Sequence, residues 1–514
     1  MKKQSIYLGL SVILFTHVAL AQQPGDLDVT FGINGFSTID IDGQGLFDRV
    51  SKIALQPDGK IAFAGGIRNA SGTQSDLFFG RVNVDGDLDQ GFGANGTIIM
   101  DMGGDNESVA GIGIDANGRI LFAGTSDQIG VYEHLLLQLT ENGDLDLTFG
   151  DDGIIYNSPL MSGSVVTSFT TDNEGNLFVT GTGNGDVMVV KYLPTGYPDD
   201  NFGTSGTVIH DLGSVDETAT RCIVQDDGRI LIAGSQVLSS DDALIVRLLQ
   251  DGSLDQSFNQ TGWVNLELSP WIDRINGMVL LPDGKLLVVG NVSDQIGSDN
   301  EIFAVQIKSD GSYDTTFGTE GLIRYDIGVG SDFANVVVLQ PDGKVIIGGG
   351  TNDNSTIQNE NFCLVRLNDD GSLDQSFGNN GIVVTEISSS YERVIDMALQ
   401  DDGKLIVVGT AKVGLSEDVA FARYHTGLNI SVSEIFEDTR FLLYPNPVTE
   451  TLSVSADRKL RSVELLDALG RTVLTTRTIN ADHLQLNLSD LTDGIYLLRA
   501  SDGKQMISQK VIKR

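Results

Sequence analysis

Leu27-Asp28-Val29-Thr30-Phe31-Gly32 is the first copy of a string that decides the fold. It returns as LDQGFG, LDLTFG, PDDNFG, LDQSFN, YDTTFG and LDQSFG, with its aromatic at Phe92, Phe149, Phe202, Phe258, Phe317 and Phe377, so the copies lie 61, 57, 53, 56, 59 and 60 residues apart. A second string keeps step: QPDGK, DANGR, DNEGN, QDDGR, LPDGK, QPDGK and QDDGK, with turn glycines at Gly59, Gly118, Gly175, Gly228, Gly284, Gly343 and Gly403. A fixed period of this length means one supersecondary unit used seven times, each burying its apolar face against its neighbours.

Each unit divides into four short strands: in the first, GFSTIDI, SKIALQ, KIAFAGG and LFFGRVNV. Asp-Gly turns separate the second from the third and the fourth from the next unit, where a hairpin needs positive φ. Helical periodicity is not sustained anywhere in the repeats, which makes the region all-β. Segments such as ILFAG, LLVVG and FAVQI are apolar at nearly every position. That pattern belongs to strands buried on both faces, as in four-stranded sheets packed around an axis. Radial closure also removes long exposed edges, so a seven-bladed β-propeller is expected over an open solenoid or several smaller propellers.

Eight residues before each motif aspartate stands a long polar side chain: Arg81 before Asp89, Gln138 before Asp146, Lys191 before Asp199, Arg247 before Asp255, Gln306 before Asp314 and Arg366 before Asp374. Asp28 has no preceding member and Arg423 no following one. In a closed ring these two meet, with the first strand completing the last blade. A group built seven times over is expected to hold structure, not to carry catalysis.

Charge divides the chain. The whole carries 33 Lys+Arg against 70 Asp+Glu, a net of −37, whereas residues 441–514 carry 10 against 8 and residues 22–440 carry 21 against 62. So acidic a surface repels nucleic acid and anionic lipid. The expected plan is a signal peptide at 1–21, the repeats at 22–427, a linker at 428–440 and a C-terminal domain at 441–514. Lys2 and Lys3, the apolar run Ile6 to Phe15 and Ala19-Leu20-Ala21 read as a secretory signal cut after Ala21. That run is too short to span about 30 Å of hydrocarbon, and no later stretch is longer, so the chain is not expected to span a membrane.

The two strings resemble the delta-60 repeat family of bacterial surface and secreted proteins. The resemblance covers residues 25 to about 427 and implies a propeller-like fold outside the cell, with no assigned reaction. The tail resembles the type A sorting domain of the Bacteroidetes type IX secretion system through YPNPVTETLSV (444–454), VELLDALGRTV (463–473), LNLSDLTDGIYLLRA (486–500) and a terminal KVIKR. The positions that carry it include Tyr444, Pro445, Asn446, Pro447, Gly470, Gly494 and Tyr496. It implies handling by that machinery, passage of the outer membrane, and often removal of the tail with attachment to surface lipopolysaccharide. The residues themselves read as alternating strands separated by Leu469-Gly470 and Asp493-Gly494 turns, a small Ig-like β-sandwich.

Little in the sequence points to catalysis. His134, His210, His425 and His483 fall in different units, without HxxxH, HExxH or CxxC spacing. Cys222 and Cys363 read as buried thiols, and two tryptophans, Trp263 and Trp271, are too few for a stacking platform on every blade. Asp85-Gly86-Asp87-Leu88-Asp89 and Asn142 to Asp146 offer oxygens that suit calcium. Ser253, Ser312 and Ser372 replace the middle aspartate elsewhere, which favours turn capping, and no cofactor is expected.

Strand parity puts the DGK and DGSLD turns on one face and the more variable connections on the other. Loop variation on a rigid scaffold is where binding specificity is placed. Asp42, Asp48, Asp105, Glu107, Asp127, Trp271 and Tyr391 are therefore the candidate ligand contacts. The expected function is a secreted or surface binding or adhesion scaffold for a glycan, a protein or a metal ion. The alternative is a carboxylate-dependent hydrolase or lyase of extracellular polysaccharide, which needs two carboxyl groups about 5 to 9.5 Å apart in one cleft.

Overall fold

The computed structural model describes residues 22–514 apart from 42, 44–46, 69–74, 104–105, 116, 129–130, 158–163, 238–240, 294, 296–298, 353–359, 389–390, 415, 429–440, 467–471, 490, 493 and 502–505. The chain divides into two compact units, Met1–Asn429 and Ile430–Arg514. The signal segment and all but Leu428 of the expected linker lie outside the described residues.

The first unit is built of seven four-stranded antiparallel sheets. In the first blade the strands are Asp48–Leu55, Ile61–Arg68, Ser75–Val82 and Thr97–Met100, laid side by side in chain order from the axis outward. Five further blades repeat this arrangement. Single parallel bridges, Ser75 to Asn106 and Asp241 to Ile272, link two pairs of neighbouring blades at their rims. The seventh blade takes three strands from the end of the repeats, Glu392–Leu399, Lys404–Val413 and Ser416–His425, and its fourth, Phe36–Ile39, from the beginning. First strands of adjacent blades pack on one another around the whole ring, including Glu392–Leu399 against Asp48–Leu55.

The middle strands carry the core. Every residue of Val345–Asn352 and of Glu360–Leu367 is buried, which explains their unbroken apolar runs. Between blades sit mixed aliphatic and aromatic clusters, such as Phe63, Phe78 and Phe421, whose rings meet edge to face. All seven motif phenylalanines are at most 2% exposed. Each motif glycine is forced by crowding: at Gly32, φ is +53° and an added Cβ would lie 2.2 Å from the Phe36 carbonyl oxygen.

The second unit is a small β domain of five strands. Thr451–Leu466 and Thr472–Asn487 pair along their length with register shifts between Ser455, Leu460 and Ser462, where the long strand bends. Its neighbours Phe441–Tyr444 and Gly494–Ser501 pair with opposite halves of that bent strand. As expected, the module is a small β domain, its two halves joined through the long strand around a shared core of Val448, Leu452, Val454, Val463, Leu465 and Leu498.

Candidate functional site

The repeated strings form a charged belt on one face. Lys60, of the DGK turn, and Arg81, of the third strand, both reach Asp89 Oδ2, at 3.0 and 2.7 Å. The same carboxylate position is met by Arg229 and Arg247 at Asp255, by Lys344 and Arg366 at Asp374, and by Lys404 and Arg423 at Asp28. Where the strand carries Gln138 or Gln306, the turn supplies the cation: Arg119 lies 2.7 Å from Asp146 and Lys285 2.8 Å from Asp314. Where the turn carries Asn176, the strand supplies it, with Lys191 2.9 Å from Asp199. Every motif aspartate therefore has at least one cation, and all seven sit below the usual carboxylate range. At Asp28, Asp89, Asp255 and Asp374 this happens against the upward push of burial, whereas at Asp314 the bond from the Lys285 ammonium is the largest influence and, with Thr316, brings the carboxyl down to about 2.

The arginines do two more things. Arg81, Arg247, Arg366 and Arg423 stack 4.4 to 4.9 Å from the ring centres of Phe92, Phe258, Phe377 and Phe31. Each also donates Nη1 to a turn carbonyl of the adjoining blade: Glu141, Ser309, Thr426 and Val84. Backbone bonds complete the belt, Gly32 N to Asp85 O at 2.6 Å, Gly93 N to Asn142 O at 3.0 Å, and at the seam Gly378 N to Pro24 O at 2.8 Å. The acidic turns cap themselves: Asp251 Oδ1 accepts from Ser253 N at 3.0 Å and Ser253 Oγ at 2.6 Å, and Asp310 and Asp370 repeat this with Ser312 and Ser372.

The opposite face, where the inner strands begin, is organised by a second series that the sequence reading placed differently. Asp48, Glu107, Glu217, Asp273, Asp332 and Glu392 occupy one repeat position and are no more than 4% exposed. Asp48 Oδ2 accepts from Ile41 N at 2.7 Å, Asp273 Oδ2 from Leu268 and Ser269 N at 2.7 and 3.0 Å, and Asp332 Oδ2 from Ile327 and Gly328 N at 2.6 and 3.3 Å. Glu392 holds Ile387 and Ser388 in the same way. Burial pushes Asp273, Asp332 and Glu392 upward despite these bonds. Of the candidate ligand contacts, Asp48 and Glu107 are thus buried, and Asp48 ties down the connection that precedes it.

Of the other candidates, Asp42 and Asp105 lie outside the described residues, and Asp127 is half-buried. Trp271 is 39% exposed. Tyr391 is half-buried with the Arg393 guanidinium 5.5 Å from its ring. Arg393 pairs with Glu360 at 2.5 Å, Arg274 with Asp241 at 2.6 Å and Arg49 with Glu417 at 3.0 Å, each an inter-blade tie on this face.

Among the described residues one carboxylate set has the spacing a hard cation uses. Asp186, Asp211 and Glu217 bring oxygens within 4.8 Å of one another. Burial and the neighbouring charges of Asp211 and Glu217 push Asp186 upward. The histidines do not gather. His134 is buried, with Nδ1 3.2 Å from Tyr192 Oη, and burial lowers it to about 4; His210 Nε2 lies 2.8 Å from Gly252 O. His425 lies 3.7 Å from Asp28, and the His483 ring 6.4 Å from that of Tyr444. Both thiols are buried, and burial raises Cys222 to about 11.

In the tail, Asn446 inserts its side chain into the edge of the last strand, donating to Lys510 O and accepting from Ile512 N, both at 2.8 Å. Tyr444-Pro445 and Asn446-Pro447 are both cis. Tyr496 Oη donates to Thr492 O at 2.8 Å, and Gly494 opens its strand. Gly470 lies outside the described residues.

Closed blades, a belt of shared carboxylates and a separate small β domain define a seven-bladed β-propeller with an appended C-terminal module. The family described as a domain of unknown function (DUF5122) beta-propeller matches residues 56–92, 116–149, 225–258, 281–317, 340–377 and 400–429, and the secretion system C-terminal sorting domain matches residues 442–514. The chain thus joins a DUF5122 β-propeller repeat region to a type IX sorting domain. Five of the six matched propeller segments run from a DGK-type turn to its motif phenylalanine, the two ends that one carboxylate fastens together. The third unit is not matched, and it is the one with DNEGN and PDDNFG, yet its blade, Val165 to His210, is complete.

No curated protein matches the chain. Similar solved structures include PorZ, a bacterial surface component of the type IX secretion system of Porphyromonas gingivalis (13% identity, TM-score 0.40, 92% of this chain and 60% of that one). A streptogramin B lyase (13%, 0.45, 76% and 98%) and the polysaccharide lyase Uly1 (12%, 0.43, 80% and 94%) are also similar. The sorting domain indicates export to the outer-membrane surface or the medium, and no described helix is long and apolar enough to cross a membrane.

Proposed function

We propose that the protein is a non-enzymatic binding propeller, delivered through the type IX secretion system and engaging an extracellular ligand through the face where the inner strands begin. The observation that carries this is the contrast between faces. On the belt face, turns of nearly constant length hold a motif aspartate with a cation in all seven units, whereas the opposite connections differ in length from blade to blade and expose Trp271, with Asp127 half-buried. A signal cut after Ala21 takes the chain across the inner membrane. The tail then takes it across the outer membrane and is removed as the propeller is attached to surface lipopolysaccharide.

Two measurements test this. Deleting residues 442–514 should leave the propeller in the periplasm, and mass spectrometry of surface material should find a form lacking the tail. A glycan array probed with residues 22–430 should return a ligand whose binding is lost on Trp271→Ala and kept on Lys308→Ala; loss in neither variant, or periplasmic escape without the tail, overturns the reading.

A further inference from the structure

Each inner strand breaks register at the same place, leaving Ser51, Ala110, Thr167, Thr220, Asn276, Asn335 or Ile395 as the extra residue of a β-bulge. Four of these clasp the next blade: Thr220 Oγ1 donates to Ile275 O at 2.9 Å, Asn276 Nδ2 to Ala334 O at 2.9 Å, Asn335 Nδ2 to Val394 O at 2.7 Å, and Thr167 Oγ1 to Ala219 O. The residue after the bulge is small or apolar in four blades and charged in three, as Lys52, Arg221 and Asp396.

Those three meet near the axis. Asp396 Oδ2 is occupied by Ile53 N at 3.0 Å. Arg221 donates to Thr220 O at 2.8 Å and, two blades away, to Asn335 O at 3.2 Å. Among the described residues neither Lys52 nor Arg221 has a carboxylate at ion-pair distance, and burial pushes the lysine down to about 8 and the arginine below its usual value. Two half-buried cations thus share the field of one carboxylate, an arrangement that a counter-anion would relieve.

Both line a cavity of about 690 Å³ whose charged wall is Arg49, Lys52, Arg221, Arg393 and the single carboxylate Glu417. Arg49 and Arg393 are neutralised by Glu417 and Glu360, so Lys52 and Arg221, sharing the field of Asp396, leave this wall with an excess of positive charge, inside a stretch, residues 22–440, that carries 62 acidic and 21 basic residues. Low-dielectric walls of one sign concentrate the opposite charge, and the volume is that of a small-molecule site. Asn276, Asn335 and Tyr391 add hydrogen-bonding groups to the same wall.

We propose that this axial cavity binds a small acidic sugar, its oxyanion seated between Lys52 and Arg221 and its hydroxyls met by Asn276, Asn335 and Tyr391. Guanidinium supplies a planar fork for an oxyanion and ammonium a point charge beside it. The inference deepens the binding reading above, since the wall residues Arg49, Arg393 and Glu417 belong to the ligand-facing side.

Calorimetry on the full mature chain with glucuronate, glucose and inorganic phosphate is the test. Glucuronate is expected to bind saturably, glucose not at all, and phosphate to compete. Lys52→Met, which removes a like-charge neighbour of Arg221 and keeps the side-chain bulk, should melt no lower than wild type and weaken glucuronate at least about tenfold, with recovery in Lys52→Arg. Equal binding of glucose and glucuronate, phosphate binding without glucuronate binding, or an unchanged affinity in Lys52→Met overturns the proposal. Array binding that is lost on Trp271→Ala and kept on Lys52→Met would sink the cavity site and leave the surface reading standing.

Discussion

Arg423 Nε donates to Asp28 Oδ2 at 2.8 Å across 395 residues of chain, the same bond that Arg81 makes to Asp89 eight residues away. The first aspartate and the last arginine are one repeat unit divided between the two ends of the repeat region. Phe36–Ile39 lies beside Val419–Ala422 as the strand of that unit, and Gly25 N and Asp28 N donate to His425 and Arg423 carbonyls at 2.6 and 2.7 Å.

Asp28 should therefore be the costliest motif aspartate to remove. Asp28→Ala leaves Arg423 and Lys404 without their carboxylate at a site where Asp28 is 1% exposed. Breaking a buried pair in this way costs about 3–5 kcal/mol. Urea unfolding monitored by tryptophan fluorescence should show that loss, against no measurable change for the exposed Asp200→Ala.

The belt is redundant in some blades and not in others, and paired substitutions should expose this. Lys60→Met leaves Asp89 with Arg81, whereas Lys285→Met leaves Asp314 facing Gln306. Lys285→Met should destabilise by about 1–3 kcal/mol and Lys60→Met by under about 1 kcal/mol. Equal losses would refute the idea that strand and turn cations substitute for one another.

Two sets of carboxylates act oppositely with pH. The seven motif aspartates have lowered pKa values, so their stabilisation is full above about pH 4 and is lost as pH falls through the folded values. Asp186, Asp273, Asp332 and Glu392 are raised, so their ionisation costs stability near neutrality and that cost is relieved as pH falls through their folded values. Melting temperature should rise as pH falls from neutrality toward the ordinary carboxylate range and drop steeply below about pH 4. Asp332→Asn should flatten the rise without moving the drop.

Asp186, Asp211 and Glu217 crowd three carboxylates together. In chelator-treated buffer Asp211→Asn should raise stability by about 0.5–1 kcal/mol, since it removes a like charge from a half-buried neighbour. Calorimetric unfolding of the two proteins side by side checks the direction.

What the sequence made legible was whatever repeats in phase with the chain. The LDxxFG and DGK strings, the double burial of the middle strands and the pairing of Asp28 with Arg423 all follow from spacing. The buried series from Asp48 to Glu392 repeats just as regularly, but carboxylates next to variable loops read as surface, and only the backbone amides of residues such as Leu268 and Ile327 show why they turn inward. Compensation of Gln138 by Arg119 and of Gln306 by Lys285 joins two strings that the sequence presents separately. The meeting of Lys52, Arg221 and Asp396 leaves no periodic mark: it needs three different blades and a bulge in each.

Because Phe36–Ile39 is made first and its partner Ser416–His425 last, the ring has no complete seventh blade until the final repeat has arrived. A chain halted anywhere in the repeats keeps two raw ends: an unpartnered strand at its start and an open flank at its last sheet. Completion is thus all-or-none at a single seam, and the sorting domain, which lies beyond that seam in the chain, is synthesised only after everything needed to fasten the ring exists.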